Sequence, residues 1–205
     1  MKAGIVVFPG TNCGRDTYEA CRFLGWNAEY IWHNKSTLKD YDVIFLPGGF
    51  SYGDYIRAGC LAKFSPVMTA IREFIYSEKG MVAGICNGFQ ILCESGLLVG
   101  ALTYNLNNRF ICDDIELYFE GEEICLPVAH KEGRYIKPKD TVINDLIFLK
   151  YKRNPNGSDD DIAGLYDKKR KILALMPHPE RAVFKETGNT DGIKIFNFIQ
   201  KELNL

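Results

Sequence analysis

The chain has 205 residues, 46% of them hydrophobic and 25% charged, a size and balance that fit one globular domain over residues 1–205 and exclude a large modular assembly. Lys plus Arg (25) nearly cancels Asp plus Glu (26), and like charges never run beyond a few residues, so neither a nucleic acid nor an anionic membrane is the expected partner. Seven cysteines, an odd number with no CxxC pair, argue against a disulfide framework and a structural zinc site and point to a reducing, cytoplasmic setting.

Met1-Lys2 leads without a cationic leader or an apolar span into residues 3–8, the first expected strand. Pro9 to Asn12 turns the chain, 16–24 has helical spacing, Gly25 stops it, and 27–32 is the second strand. Residues 42–46 form an unbroken apolar run of strand length ended by Pro47-Gly48-Gly49, which suits a strand buried on both faces. A helix over 67–79 and a strand over 81–85 follow. Such alternation is the signature of parallel βαβ units. Beyond residue 100 the pattern becomes antiparallel: strands at 111–119 and 124–130 flank a turn at Glu120 to Glu123, and strands at 162–166 and 172–176 flank a solvated tip at Asp167 to Lys171. Residues 191–203 form a closing amphipathic helix. The expected fold is α/β, a three-layer sandwich with a mostly parallel central sheet between helices and antiparallel additions in the second half.

Nineteen glycines include no G-x-G and no Gly-Lys, so the dinucleotide fingerprint and the P-loop are absent and no cofactor is expected in this chain. Two glycine-flanked turns follow strands. Gly49-Phe50-Ser51-Tyr52-Gly53 fits a serine nucleophile elbow but lacks a helix directly behind it. Gly84-Ile85-Cys86-Asn87-Gly88 has the strand before it and the helix Phe89 to Glu94 after it. A helix N-terminus there favours a thiolate and a developing oxyanion, so Cys86 is the candidate nucleophile. Cys13, Cys21, Cys60, Cys93, Cys112 and Cys125 are read as small buried hydrophobes. A thiolate needs a proton carrier with an orienting acceptor. His178 follows a strand and stands between two prolines with Glu180 two residues on, which makes His178 the expected base and Glu180 its orienting carboxylate. His33 reads as structural, and His130, at a strand end, as a group able to line a site.

Pro47-Gly48-Gly49, Gly84-x-Cys86-Asn87-Gly88-x-Gln90 and Pro177-His178-Pro179-Glu180 together resemble the class I glutamine amidotransferases. Gly48 to Asp54, Asn105 to Phe110 and Asn154 to Ser158 resemble those members that supply ammonia to an amidation step of purine biosynthesis as separate subunits. The resemblance implies that Cys86 attacks the glutamine side-chain amide and that the N–H groups of Gly49 and Asn87 hold the oxyanion. It makes His178 the proton carrier oriented by Glu180, and it places Gln90, Arg109 and Phe110 at the substrate. It also implies partners, a large synthetase subunit using ATP and magnesium and a small third subunit. Lys131 departs from the pattern, which has glycine there. Alternatives are service to a different synthetase, or a serine hydrolase built on Ser51.

Overall fold

The apolar runs become strands in the computed structural model, which describes residues 1–205. In chain order the elements are β1 (Lys2–Val7), α1 (Gly14–Phe23), β2 (Asn27–Trp32), β3 (Val43–Leu46), α2 (Pro66–Tyr76), β4 (Met81–Ile85), α3 (Asn87–Glu94) and β5 (Ala101–Thr103). There follow β6 (Ile111–Phe119), β7 (Glu122–His130), β8 (Arg134–Ile136), β9 (Ile147–Tyr151), β10 (Ile162–Asp167), β11 (Ile172–Leu175) and α4 (Gly192–Glu202). One nine-stranded sheet runs in the order β2-β1-β3-β4-β11-β10-β9-β6-β7. Its first five strands are parallel and the remaining pairings antiparallel, which is the architecture expected from the sequence. β5 and β8 form a separate antiparallel pair.

Burial explains why some strands were plain in the sequence. Every residue of β3, β4 and β11 is buried, as in a strand covered on both faces, and an uninterrupted apolar run is the sequence form of that environment. β6 is largely exposed and alternates. The turn between β6 and β7 is tighter than the four residues expected: β7 begins at Glu122, leaving Glu120 and Gly121 alone in the loop with φ of 48° and 84°. Two successive positive φ values match the twist of a two-residue hairpin, so pairing extends to the end of both strands. The charged stretch 167–171 joins β10 to antiparallel β11, and Arg170 Nε donates to Asp167 Oδ2 at 2.7 Å, consistent with a solvated tip. No helix is long and apolar enough to cross a membrane.

Counted across the sheet, β7 stands four strands from β11, yet the two meet. The Pro127 carbonyl in β7 accepts the His178 N–H just beyond β11 at 2.8 Å, and the Ala129 carbonyl lies 3.9 Å from Cys86 Sγ. The antiparallel half therefore curls back over the carboxyl ends of the parallel strands. In open α/β sheets those ends are where binding crevices form.

Candidate active site

Cys86 occupies the step between β4 and α3 with φ 50° and ψ −102°, a conformation that non-glycine residues seldom adopt. The turn is tight because α3 sits directly on β3: a Cβ at Gly88 would collide with the Leu46 carbonyl. Strained strand-to-helix geometry of this kind lifts a nucleophile to the top of the sheet. As the first residue of α3, Asn87 has an N–H with no intrahelical acceptor. Across the gap, the Gly49 N–H donates to no backbone carbonyl. Gly49 has φ 144°, and a Cβ there would stand 2.5 Å from the Asn12 nitrogen, so only glycine brings the chain this close. Two free donors thus stand by Cys86, one on the next residue and one on Gly49, which lines a cavity with it.

His178 and Glu180 follow β11. His178 Nδ1 meets Glu180 Oε1 at 2.7 Å, with side-chain exposures of 2% and 0%. Burial alone lowers the basicity of this imidazole, but the Glu180 carboxylate and the Cys86 sulfur outweigh it and raise its pKa well above the ordinary histidine value. Its Nε2 has no protein hydrogen-bond partner and is free to exchange a proton. A cavity of about 200 Å³ is lined by Cys86, His178, Gly49, Cys13, Arg181 and Phe110, among others. The structure brings Cys86, His178 and Glu180 together as expected.

Cys13 corrects the sequence reading. It is no inert core thiol: its Sγ accepts from Arg181 Nη2 at 3.0 Å, and the Cys13, His178 and Glu180 ligating atoms lie within 4.8 Å of one another. Two cysteines therefore face one histidine. The signal for this was its position, since Cys13 follows β1 just as His178 follows β11, and strand ends gather the site in this fold class. Cys112 departs in the other direction and is exposed on β6.

A second cavity, about 330 Å³, also reaches Cys86 and is lined by Gln90, Phe110, Asp54, His130, Lys131 and Glu132 with others. Gln90 Nε2 donates to the Glu132 carbonyl at 2.7 Å, and its Oε1 accepts from Asn87 Nδ2 at 2.9 Å. Phe110 lines both cavities. Arg109 lines neither, and its side chain is exposed. His130 Nδ1 bonds Asn105 Oδ1 at 3.1 Å; because that oxygen also accepts the Gly133 N–H, Nδ1 carries the proton and Nε2 is a bare acceptor. Burial, with His178 nearby, pushes the His130 pKa down to about 4, so the ring is uncharged at neutral pH. Asp54 closes the Gly48 to Asp54 motif and Glu132 follows Lys131, but neither was singled out as a site residue, because a single acidic residue in a loop does not advertise what it faces.

Ser51 does not sit on an elbow. It begins a short 3-10 turn, and its Oγ is buried without any partner, so no base activates it. The histidine of that region is engaged elsewhere: His33 Nδ1 lies 3.0 Å from the Tyr52 hydroxyl, which also meets Ser65 Oγ at 2.8 Å. His33 thereby steadies the loop that presents Gly49.

Residues 1–194 match the CobB/CobQ-like glutamine amidotransferase domain family. Phosphoribosylformylglycinamidine synthase subunit PurQ of Prochlorococcus marinus strain MIT 9312 is 53% identical, with 93% of each chain covered. The protein of the same name from Thermus thermophilus is 46% identical over 99% of both chains. Among solved structures, a chain of PurLQS from Thermotoga maritima superposes with a TM-score of 0.91 at 41% identity, covering 98% of each chain. A glutamine amidotransferase of the same organism, at 15% identity and a TM-score of 0.59 over 100% of this chain and 86% of its own, shares the fold. The match to the domain family over residues 1–194, with full-length similarity at the level of the first three relatives, shows that the chain belongs to the glutamine amidotransferase family, in its phosphoribosylformylglycinamidine synthase subunit PurQ branch.

Proposed function

We propose that the chain is the glutaminase of a phosphoribosylformylglycinamidine synthase. It hydrolyses glutamine and passes ammonia to a large synthetase subunit that amidates formylglycinamide ribonucleotide, in a complex with a small third subunit. The observation that carries this reading is the row of Cys86 thiol, His178 imidazole and Glu180 carboxylate, set by the ends of β4 and β11 and bordered by two unpaired backbone N–H groups. The partner reading is supported by the full-length likeness to a chain solved within PurLQS. In this reading the synthetase subunit uses ATP and magnesium, in keeping with a sequence that carries no phosphate-loop motif.

The chemistry follows from the geometry. The Cys86 thiolate adds to the side-chain amide carbon of glutamine, and the N–H groups of Gly49 and Asn87 take the negative charge on the oxygen. As the C–N bond breaks, the His178 imidazolium gives its proton to nitrogen, which leaves as ammonia; a thioester remains on sulfur. Neutral His178 then takes a proton from water, whose oxygen attacks the thioester. Collapse frees the thiolate beside a recharged His178, and the new carboxyl loses its proton to solvent as glutamate. Glu180 holds the ring in the tautomer that keeps Nε2 toward sulfur. Gln90 and Phe110 line the substrate cavity, and Arg109 belongs to the adjoining loop that closes over it.

In the reconstituted complex, Cys86→Ala is expected to abolish glutamine-dependent synthesis while ammonium salts still support it. Retained glutamine-dependent synthesis would refute the assignment.

A further inference from the structure

We propose that Lys131 reads the α-carboxylate of glutamine, and this inference rests on the glutaminase reading above. An amino-acid substrate brings a fixed pair of charges, and the cavity that reaches Cys86 holds counterparts for both. Asp54 and Glu132 are its carboxylates, and Lys131 is the one cationic side chain in its wall. His130, in the same wall, is held uncharged by burial and adds no positive charge. Arg109 lines neither cavity, and Arg181, which donates to Asp16 Oδ2 at 3.1 Å and to Cys13 Sγ at 3.0 Å, lines only the smaller one. A carboxylate entering the larger cavity therefore meets positive charge only at Lys131.

The ammonium is also unclaimed. Lys131 Nζ lies 5.3 Å from the centroid of the Tyr104 ring and pairs with no carboxylate, although Glu132 is its neighbour in sequence. A cation held over an aromatic face keeps its hydrogen-bond donors for an incoming anion. The backbone beneath it is fixed. Asn105 donates from its N–H to the Lys131 carbonyl at 2.8 Å and from Nδ2 to the His130 carbonyl at 3.0 Å, and its Oδ1 accepts the Gly133 N–H at 3.2 Å. A backbone fixed in this way leaves only the side chain to be ordered when a ligand binds. The opposite pole of the substrate, its ammonium, faces Asp54 and Glu132.

The test is steady-state glutamine hydrolysis by the complete synthetase complex carrying Lys131→Ala or Lys131→Arg. Loss of one charge-assisted contact is expected to raise KM for glutamine about tenfold in Lys131→Ala, with kcat at saturation little changed. Lys131→Arg should keep a KM close to that of the unaltered protein. With glutamine α-methyl ester, which lacks the carboxylate, Lys131→Ala and the unaltered protein should share one KM, a result that a merely structural role would not produce. An unchanged KM for glutamine in Lys131→Ala, or an equal rise for the ester, would overturn the proposal and leave the glutaminase reading standing. Failure of the unaltered complex to hydrolyse glutamine would overturn both.

Discussion

Cys86 holds a backbone conformation that costs about 1–3 kcal/mol, and it keeps it because its neighbours leave no alternative. Gly88 lets α3 lie on the Leu46 carbonyl, which is itself part of the β3 ladder and cannot yield. Gly88→Ala is therefore expected to destabilise the fold by more than about 2 kcal/mol in urea unfolding and to abolish turnover. The control is Gly96→Ala, where a Cβ meets nothing within 4 Å; its φ of 70° alone should cost about 1 kcal/mol. Equal losses at both positions would show that the elbow is not packed as described. The glycine spacing around Cys86 was legible in the sequence because tight packing at a turn permits only small residues. Cys13 was legible only by its place after β1: its partners Arg181 and His178 are more than 160 positions away, and no local pattern records their meeting.

At the scale of elements, the turn after β3 carries Gly49 at its start and Asp54 at its end. Burial pushes the Asp54 pKa up from 3.8 to about 6, with a small push from Glu132, against hydrogen bonds from the Gly59 N–H and the Asn87 amide. The folded protein thus holds a proton that the unfolded chain gives up. Its stabilising contribution is full below about pH 3.8, declines as pH rises through about 6, and is gone above that. Asp54→Asn has no such dependence, so its stability relative to the unaltered protein should rise between pH 4 and pH 7, by about 1 kcal/mol once partial exposure is allowed for. Thermal unfolding across that range checks it, and a difference that does not change with pH would contradict the assigned burial. Regular elements were legible to within a few residues wherever burial imposed a pattern, an unbroken apolar run in β3 and β4 and a helical period in α4. The tight β6–β7 turn was overdrawn, because Glu120 tolerates a positive φ that its residue type does not advertise.

On the scale of the molecule, the site is a product of curvature. Ends of β1, β3, β4 and β11 bring Cys13, Gly49, Cys86 and His178 to one edge of the sheet, and the curled hairpin of β6 and β7 closes it with the Pro127 and Ala129 carbonyls. Alternation of strands and helices announced the parallel half. Nothing in the sequence announced the curl, since it depends on pairing between strands far apart in the chain. That closure leaves two thiols facing one imidazole, and the central claim is that Cys86, at the strained elbow, is the nucleophile. The most direct measurement is mass spectrometry of the protein after reaction with a diazoketone analogue of glutamine, with and without glutamine present. The account predicts one adduct, on the peptide carrying Cys86, suppressed by glutamine; an adduct on Cys13, or labelling indifferent to glutamine, would contradict it.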